Sequence, residues 1–173
     1  MATLVCLRFG VSNNYSGYEE KMVKIAIGSD ERTHLTDVVI EAVRRQGHDI
    51  TLFGPLIGEE AYWPAVAQQV AESVLFGGSD EGILFCWTGT GISLAANKVP
   101  GIRAALCADA ETAKGALLWN KANVLCLSLR TTAEVVAQEI LDAWFATEYQ
   151  PNDVDDSCLV QVTALEQKYC RKQ

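Results

Sequence analysis

From Met22 onward, short runs of consecutive apolar residues alternate with longer stretches whose apolar residues recur every three or four positions. A strand that is covered on both faces reads as a nearly continuous apolar run, and a covering helix reads as an apolar stripe. The strand-like runs are Val23–Ile27, Asp49–Phe53, Gly82–Cys86, Arg103–Cys107 and Val124–Leu129. Between them, His34–Gln46 places Leu35, Val38, Val39, Ala42 and Val43 on one helical face and stops before Gly47, a residue type that favours a helix end. Tyr62–Phe76, a segment opening around Ser93–Asn97, Ala110–Trp119 and Thr132–Thr147 supply further helices. The alternation predicts an α/β fold with a five-stranded parallel sheet and helices on both faces.

The ends of the chain depart from this rhythm. Residues 1–21 lack the charged start, long apolar stretch and small-residue cleavage site of a secretion signal, and Val11–Lys21 is polar and turn-rich. Met22 reads as a natural start and 1–21 as an N-terminal extension outside the core. The alternative is an edge strand over Thr3–Phe9. Residues 22–173 form a single domain, which 173 residues in total suits. After Glu148 an acidic stretch precedes Leu159, Val162, Leu165 and Glu166 at helical spacing. A final helix there carries an apolar stripe that a closed α/β domain leaves uncovered, and packing on a partner subunit would cover it.

Charge and cysteine usage narrow the function. With 14 Lys+Arg against 22 Asp+Glu the formal charge is −8, which disfavours a nucleic-acid backbone or an anionic membrane surface as partner. No apolar run approaches the ~20 residues of a membrane span. The six cysteines are scattered, no C-x-x-C pair occurs, and His34 and His48 are the only histidines. No zinc or other metal site is expected, and reduced thiols in a cytoplasmic protein account for most of the cysteines.

Ligands of an open parallel sheet bind outside the carboxyl ends of its strands. Three such ends carry polar or special residues: Gly28-Ser29-Asp30, Cys86-Trp87-Thr88-Gly89-Thr90-Gly91-Ile92-Ser93, and Leu129-Arg130. In the middle one a strand runs through glycines into a helix start, whose free amides attract negative charge. Three readings fit this turn. A dinucleotide fingerprint lacks its third glycine, because Leu94 stands there. A structural turn needs its glycines only for packing. An anion cradle beside a thiol makes Cys86 a base or nucleophile, since a helix start lowers a thiol's pKa.

Ile25–Asp30, the long run Gly82–Cys107 and Asn120–Leu125 resemble the type-B ribose-5-phosphate isomerase and galactose-6-phosphate isomerase family, over Met22 to about Gln167. The resemblance implies a Rossmann-like three-layer sandwich whose last helix packs a homodimer, with a tetramer as the larger option, and active sites at the subunit interface. It implies metal-free and cofactor-free interconversion of an aldose and a ketose, a small sugar or sugar phosphate, through an enediolate. Carried over by position, Cys86 is the proton-moving base and Thr88 assists ring opening. The turn residues Trp87, Gly89, Thr90, Gly91, Ile92 and Ser93, with the amides from Trp87 to Ser93, cradle the enediolate oxygen. Asp30 and Asn120 hold sugar hydroxyls, Trp63 lines the pocket where a tyrosine is common, and Arg130 contacts phosphate.

Several positions break the family's pattern. Glu31 and Trp119 stand where histidines are usual, and the second of those histidines opens the sugar ring. Trp87 replaces a glycine. The C-terminal segment Pro151–Cys158 carries Asp153, Asp155 and Asp156 where two phosphate-gripping arginines are usual. Arg32 is one possible replacement cation, whereas Lys98 reads as a helix C-terminal charge. These losses favour a substrate that needs no ring opening: a tetrose, an open-chain ketose derivative, or an unphosphorylated or carboxylated sugar. A non-catalytic sugar-binding or regulatory homologue is the alternative, and a nucleotide-dependent oxidoreductase is a third reading.

Overall fold

The computed structural model describes residues 22–169, so the expectations for the N-terminal extension and the Thr3–Phe9 strand lie outside the described residues. The elements run β1 (Lys24–Ser29), α1 (His34–Arg45), β2 (Asp49–Phe53), a 3-10 turn over Gly54–Ile57, α2 (Trp63–Leu75), β3 (Glu81–Cys86), α3 (Thr90–Ala96), β4 (Ala104–Leu106), α4 (Ala110–Asn120), β5 (Val124–Ser128), α5 (Glu134–Phe145) and α6 (Asp153–Tyr169). All neighbouring strands are parallel, in the order β2-β1-β3-β5-β4.

The central strands β1, β3 and β5 are buried along nearly their whole length, which is why their sequences read as apolar runs. Alternate side chains feed two cores. One core joins Ile25, Ile27, Ile83, Phe85, Leu125 and Leu127 to α1, α4 and α5. The other joins Ala26, Leu84, Cys86, Val124 and Cys126 to α2 and α3. The three layers follow from this division. Trp144 of α5, 2% exposed, anchors the first core, and its indole N–H donates to Glu81 Oε2 at 2.6 Å. Truncating a buried ring of this size costs about 3–5 kcal/mol.

Local chemistry sets the element ends. Thr33 caps α1 through a capping box with Thr36, which satisfies the Thr33 and Thr36 amides. Most bounds shift by one or two residues from the sequence expectation, and three of the shifts have a local cause. β4 is three residues rather than five, because it is an edge strand bonded only to β5. α3 begins at Thr90, three residues before the expected Ser93, because Gly89 already takes the left-handed cap conformation, φ 73°. α5 begins at Glu134 rather than Thr132, since Thr132 N–H closes the turn to Ser128 O at 3.1 Å.

The expected last helix is present and starts inside the acidic stretch. Asn152 Oδ1 accepts from Asp155 N–H at 2.9 Å, and Asp153, Asp155 and Asp156 occupy the first turn, where the helix dipole favours carboxylates. None of the described α6 residues is buried. Val154, Val160, Val162, Leu165 and Tyr169 are exposed. Among the described residues, no helix is long and apolar enough to cross a membrane.

Candidate active site

β1 leads into α1 on one face of the sheet, and β3 leads into α3 on the other. The chain therefore parts between these neighbouring strands, which opens a crevice at their carboxyl ends. Ser29 pairs with Phe85, so Asp30 and Cys86 are the next residues at the carboxyl ends of these two strands.

Cys86 is 5% exposed and lies on the α2–α3 side of the sheet. The backbone that carries it is held firmly. Its carbonyl accepts from Gly89 N–H at 3.1 Å and Leu129 N–H at 3.0 Å. The Trp87 carbonyl accepts from Arg130 N–H at 3.0 Å and from the Ser128 hydroxyl at 3.0 Å. Gly89 then turns the chain; any side chain there would be strained at positive φ and would collide with Leu106 and the Leu127 backbone.

The expected cradle of amides from Trp87 to Ser93 is smaller than the sequence suggested. Gly89 N–H closes the turn onto Cys86, and Ser93 N–H makes the first helical bond, to Gly89 O at 3.2 Å. Helix geometry leaves the amides of Thr90, Gly91 and Ile92 without intrahelical acceptors. The Thr88 and Thr90 hydroxyls are 2.7 Å apart at the mouth of the turn. The exposed Trp87 follows the thiol. Trp63, in the first turn of α2, lies against Gly91, whose Cβ, if present, would be 3.3–3.5 Å from the indole.

Two buried thiols are held in the protonated form. Burial, reinforced by Asp109, pushes Cys107 up to about 12. Burial pushes Cys126 higher still; nearby Cys107 and Cys86 add to this and the Ser93 hydroxyl partly offsets it. Neither thiol is available as a thiolate near neutral pH. Partial burial raises the Asp30 carboxyl from its ordinary value; its own backbone amide opposes this and Glu31 adds to it.

The structure thus gathers Asp30, Trp63, Cys86, Trp87, Thr88, Gly89, Thr90, Gly91, Ile92, Ser93 and Arg130 at one end of the sheet. It does not bring Asn120 there. α4 runs back along the sheet, and Asn123, just beyond it, bonds Gly82 N–H and Arg103 N–H at the amino ends of the strands. Asn120 is therefore about a strand length, roughly 17–20 Å, from Cys86 of the same protomer. Trp119 lies beside it, its ring folded over Gly115. Arg32 is engaged, to Asp37 Oδ1 at 2.9 Å and to Leu56 O at 3.3 Å. Lys98 follows the C-cap of α3. The positioning serine Ser128 escaped the sequence reading, and Ser29 was read only as part of a polar strand end; a serine closing an apolar strand was the signal for both, and both are buried. Among the described residues, no three His, Cys, Asp or Glu side chains are grouped to hold a metal.

Residues 25–157 match the family model for Ribose/Galactose Isomerase. The chain is 36% identical over 131 residues to D-erythrulose-4-phosphate isomerase of Pectobacterium atrosepticum, covering 75% of this chain and 86% of that one. It is 36% identical over 149 residues to ribose-5-phosphate isomerase B of Escherichia coli, covering 85% and 99%. The solved ribose-5-phosphate isomerase B of Clostridium thermocellum is 37% identical and superposes with a TM-score of 0.79, covering 84% of this chain and 99% of that one.

Proposed function

The chain belongs to the ribose/galactose isomerase family of aldose–ketose isomerases, and on that premise we propose that it isomerises a four-carbon sugar phosphate that reacts as an open chain, with Cys86 moving the proton. The observation that carries the substrate class is the lack of a ring-opening histidine. Trp119 fills the corresponding position. His48 packs its ring at a tilt against Phe145, centroids 4.3 Å apart, beside the amino end of β2, and His34 is paired with Glu134 at 2.9 Å. A tetrose 4-phosphate has its C4 oxygen esterified and forms no furanose ring, so it needs no such residue. The Pectobacterium relative is named for D-erythrulose 4-phosphate.

In this reading the substrate carbonyl oxygen meets the amides of Thr90, Gly91 and Ile92. The Cys86 thiolate takes the proton from the carbon beside the carbonyl and forms an enediolate. The same thiol returns the proton to the adjacent carbon, while Thr88 passes the hydroxyl proton between the two substrate oxygens. Amides aimed at developing negative charge contribute about 3 kcal/mol each. Asp30 holds a hydroxyl, Arg130 meets the phosphate, and Trp63 and Trp87 wall the pocket. Because Asn120 lies at the far end of its own protomer, it reaches Cys86 only across a homodimer. The uncovered apolar stripe of α6 supports that assembly. A cytoplasmic setting agrees with the free thiols Cys86, Cys107, Cys126 and Cys158.

The test compares turnover of D-erythrulose 4-phosphate with ribose 5-phosphate. The reading predicts a higher kcat/KM on the four-carbon substrate. An enzyme that prefers ribose 5-phosphate contradicts it.

A further inference from the structure

The loops at the carboxyl end of the sheet are short of cations for a phosphate dianion. They carry Asp30, Glu31, Glu59, Glu60 and Asp109 against Arg32 and Arg130, and Arg32 is already spent on Asp37. Carboxylates around a dianion repel it unless cations outweigh them.

The complementary charge lies at the other end of the molecule. Lys121 caps α4 immediately after Asn120, and it is the only non-glycine residue at positive φ, 47°, among the described residues. A lysine in that conformation carries backbone strain, which persists where the surroundings fix it. Here they do: Arg103 Nε donates to the Lys121 carbonyl at 2.6 Å. The ammonium is exposed, has no carboxylate within ion-pair distance among the described residues, and sits 5.1 Å from the Tyr149 ring centroid. It lines a cleft of about 580 Å³ between α6 and the rest of the domain. The two carboxylates of that cleft are otherwise engaged, Asp156 by the Tyr149 hydroxyl and Glu166 by Gly101 N–H.

We propose that Lys121 of the partner subunit grips the phosphate of the substrate bound at Cys86, replacing the cations that the C-terminal segment lacks. The proposal rests on the isomerase and homodimer reading above. An acidic, cation-poor crevice and a held, uncompensated lysine next to Asn120 complement each other across two copies of one chain.

The test uses the full chain with D-erythrulose 4-phosphate. Lys121→Asn tolerates the left-handed conformation, and unchanged thermal unfolding would confirm that it folds. It should raise KM about ten- to hundredfold, the worth of a charge-assisted contact, with kcat within about twofold. Lys121→Arg should restore most of the affinity. A heterodimer of one Cys86→Ala chain and one Lys121→Asn chain, purified on two tags, then decides which subunit supplies the lysine. Supply in trans leaves one intact site, so about half the wild-type kcat should return at the wild-type KM. An unchanged KM in Lys121→Asn overturns the proposal, as does a heterodimer showing only the raised KM, or a monomeric enzyme. Wild-type protein inert on every sugar phosphate overturns the isomerase reading itself, and the role of Lys121 with it.

Discussion

Gly91 lies flat against the indole of Trp63: a Cβ on Gly91 would stand 3.3 Å from Trp63 Cδ2 and 3.4 Å from Cε3. Closer than ordinary van der Waals contact, that methyl group would push the ring by a few tenths of an ångström. Trp63 sits at the first turn of α2 and is 37% exposed, so the ring has room to yield. Gly91→Ala should therefore cost less than about 1.5 kcal/mol of stability while raising KM several-fold, read by denaturant unfolding and steady-state kinetics.

Gly89→Ala should behave differently, although it is only two residues away. Its φ is 73°, and the new Cβ meets Leu106 and the Leu127 backbone, which cannot move without shifting β5. The left-handed conformation and the overlap together should cost about 2–5 kcal/mol. Equal destabilisation by the two alanines in urea unfolding would contradict the assigned geometry.

Asp30 should trade stability for binding. Its pKa is raised in the folded state, chiefly by burial, so the neutral acid is the form that folding favours. The stability it contributes is fully present below its unfolded pKa and is lost as pH rises through the folded value. At pH 7 the carboxylate is a burden that Asp30→Asn removes. The variant should melt higher than wild type at pH 7, with the gain shrinking as pH falls through the carboxylate range. Its KM should rise. A gain in melting temperature that is independent of pH would show that charge burial is not the cause.

Alkylation should separate the thiols. Cys107 and Cys126 are held protonated by burial and should resist iodoacetamide at pH 7.5 in the folded enzyme. Cys158 is exposed in the single protomer and lies on α6, away from the strand end that carries Cys86, so its rate of reaction should not depend on substrate. Modification of Cys86 should abolish turnover, and substrate should slow it. Peptide mapping reads all four sites, and unprotected Cys86 would place the substrate elsewhere.

Much of the fold was legible because burial on both faces writes itself as uninterrupted apolar runs, as in Ile83–Cys86 and Val124–Leu127. The weakest elements were the least legible. β4 is an edge strand with a single partner, so its regular pairing stops at Ala104–Leu106, although Arg103 and Cys107 still make backbone bonds to the β5 segment. The turn after β3 was legible as a glycine-flanked strand end. The start of α3 was not, because Gly89 supplies the cap through its backbone conformation and leaves no side-chain signature. Asn120 shows a further limit. Motif position marked it as a substrate-binding residue without saying which subunit supplies it; the course of α4, antiparallel to the strands, carries it to the opposite end of its own protomer's sheet, a fact that depends on topology and not on local sequence.

Isotope exchange reads the proton transfer by Cys86 directly. Proton NMR of D-erythrulose 4-phosphate in D₂O with the wild-type enzyme should show deuterium entering the carbon beside the carbonyl. The exchange should vanish in Cys86→Ala while that variant still binds the substrate. Exchange that persists in Cys86→Ala would contradict the account.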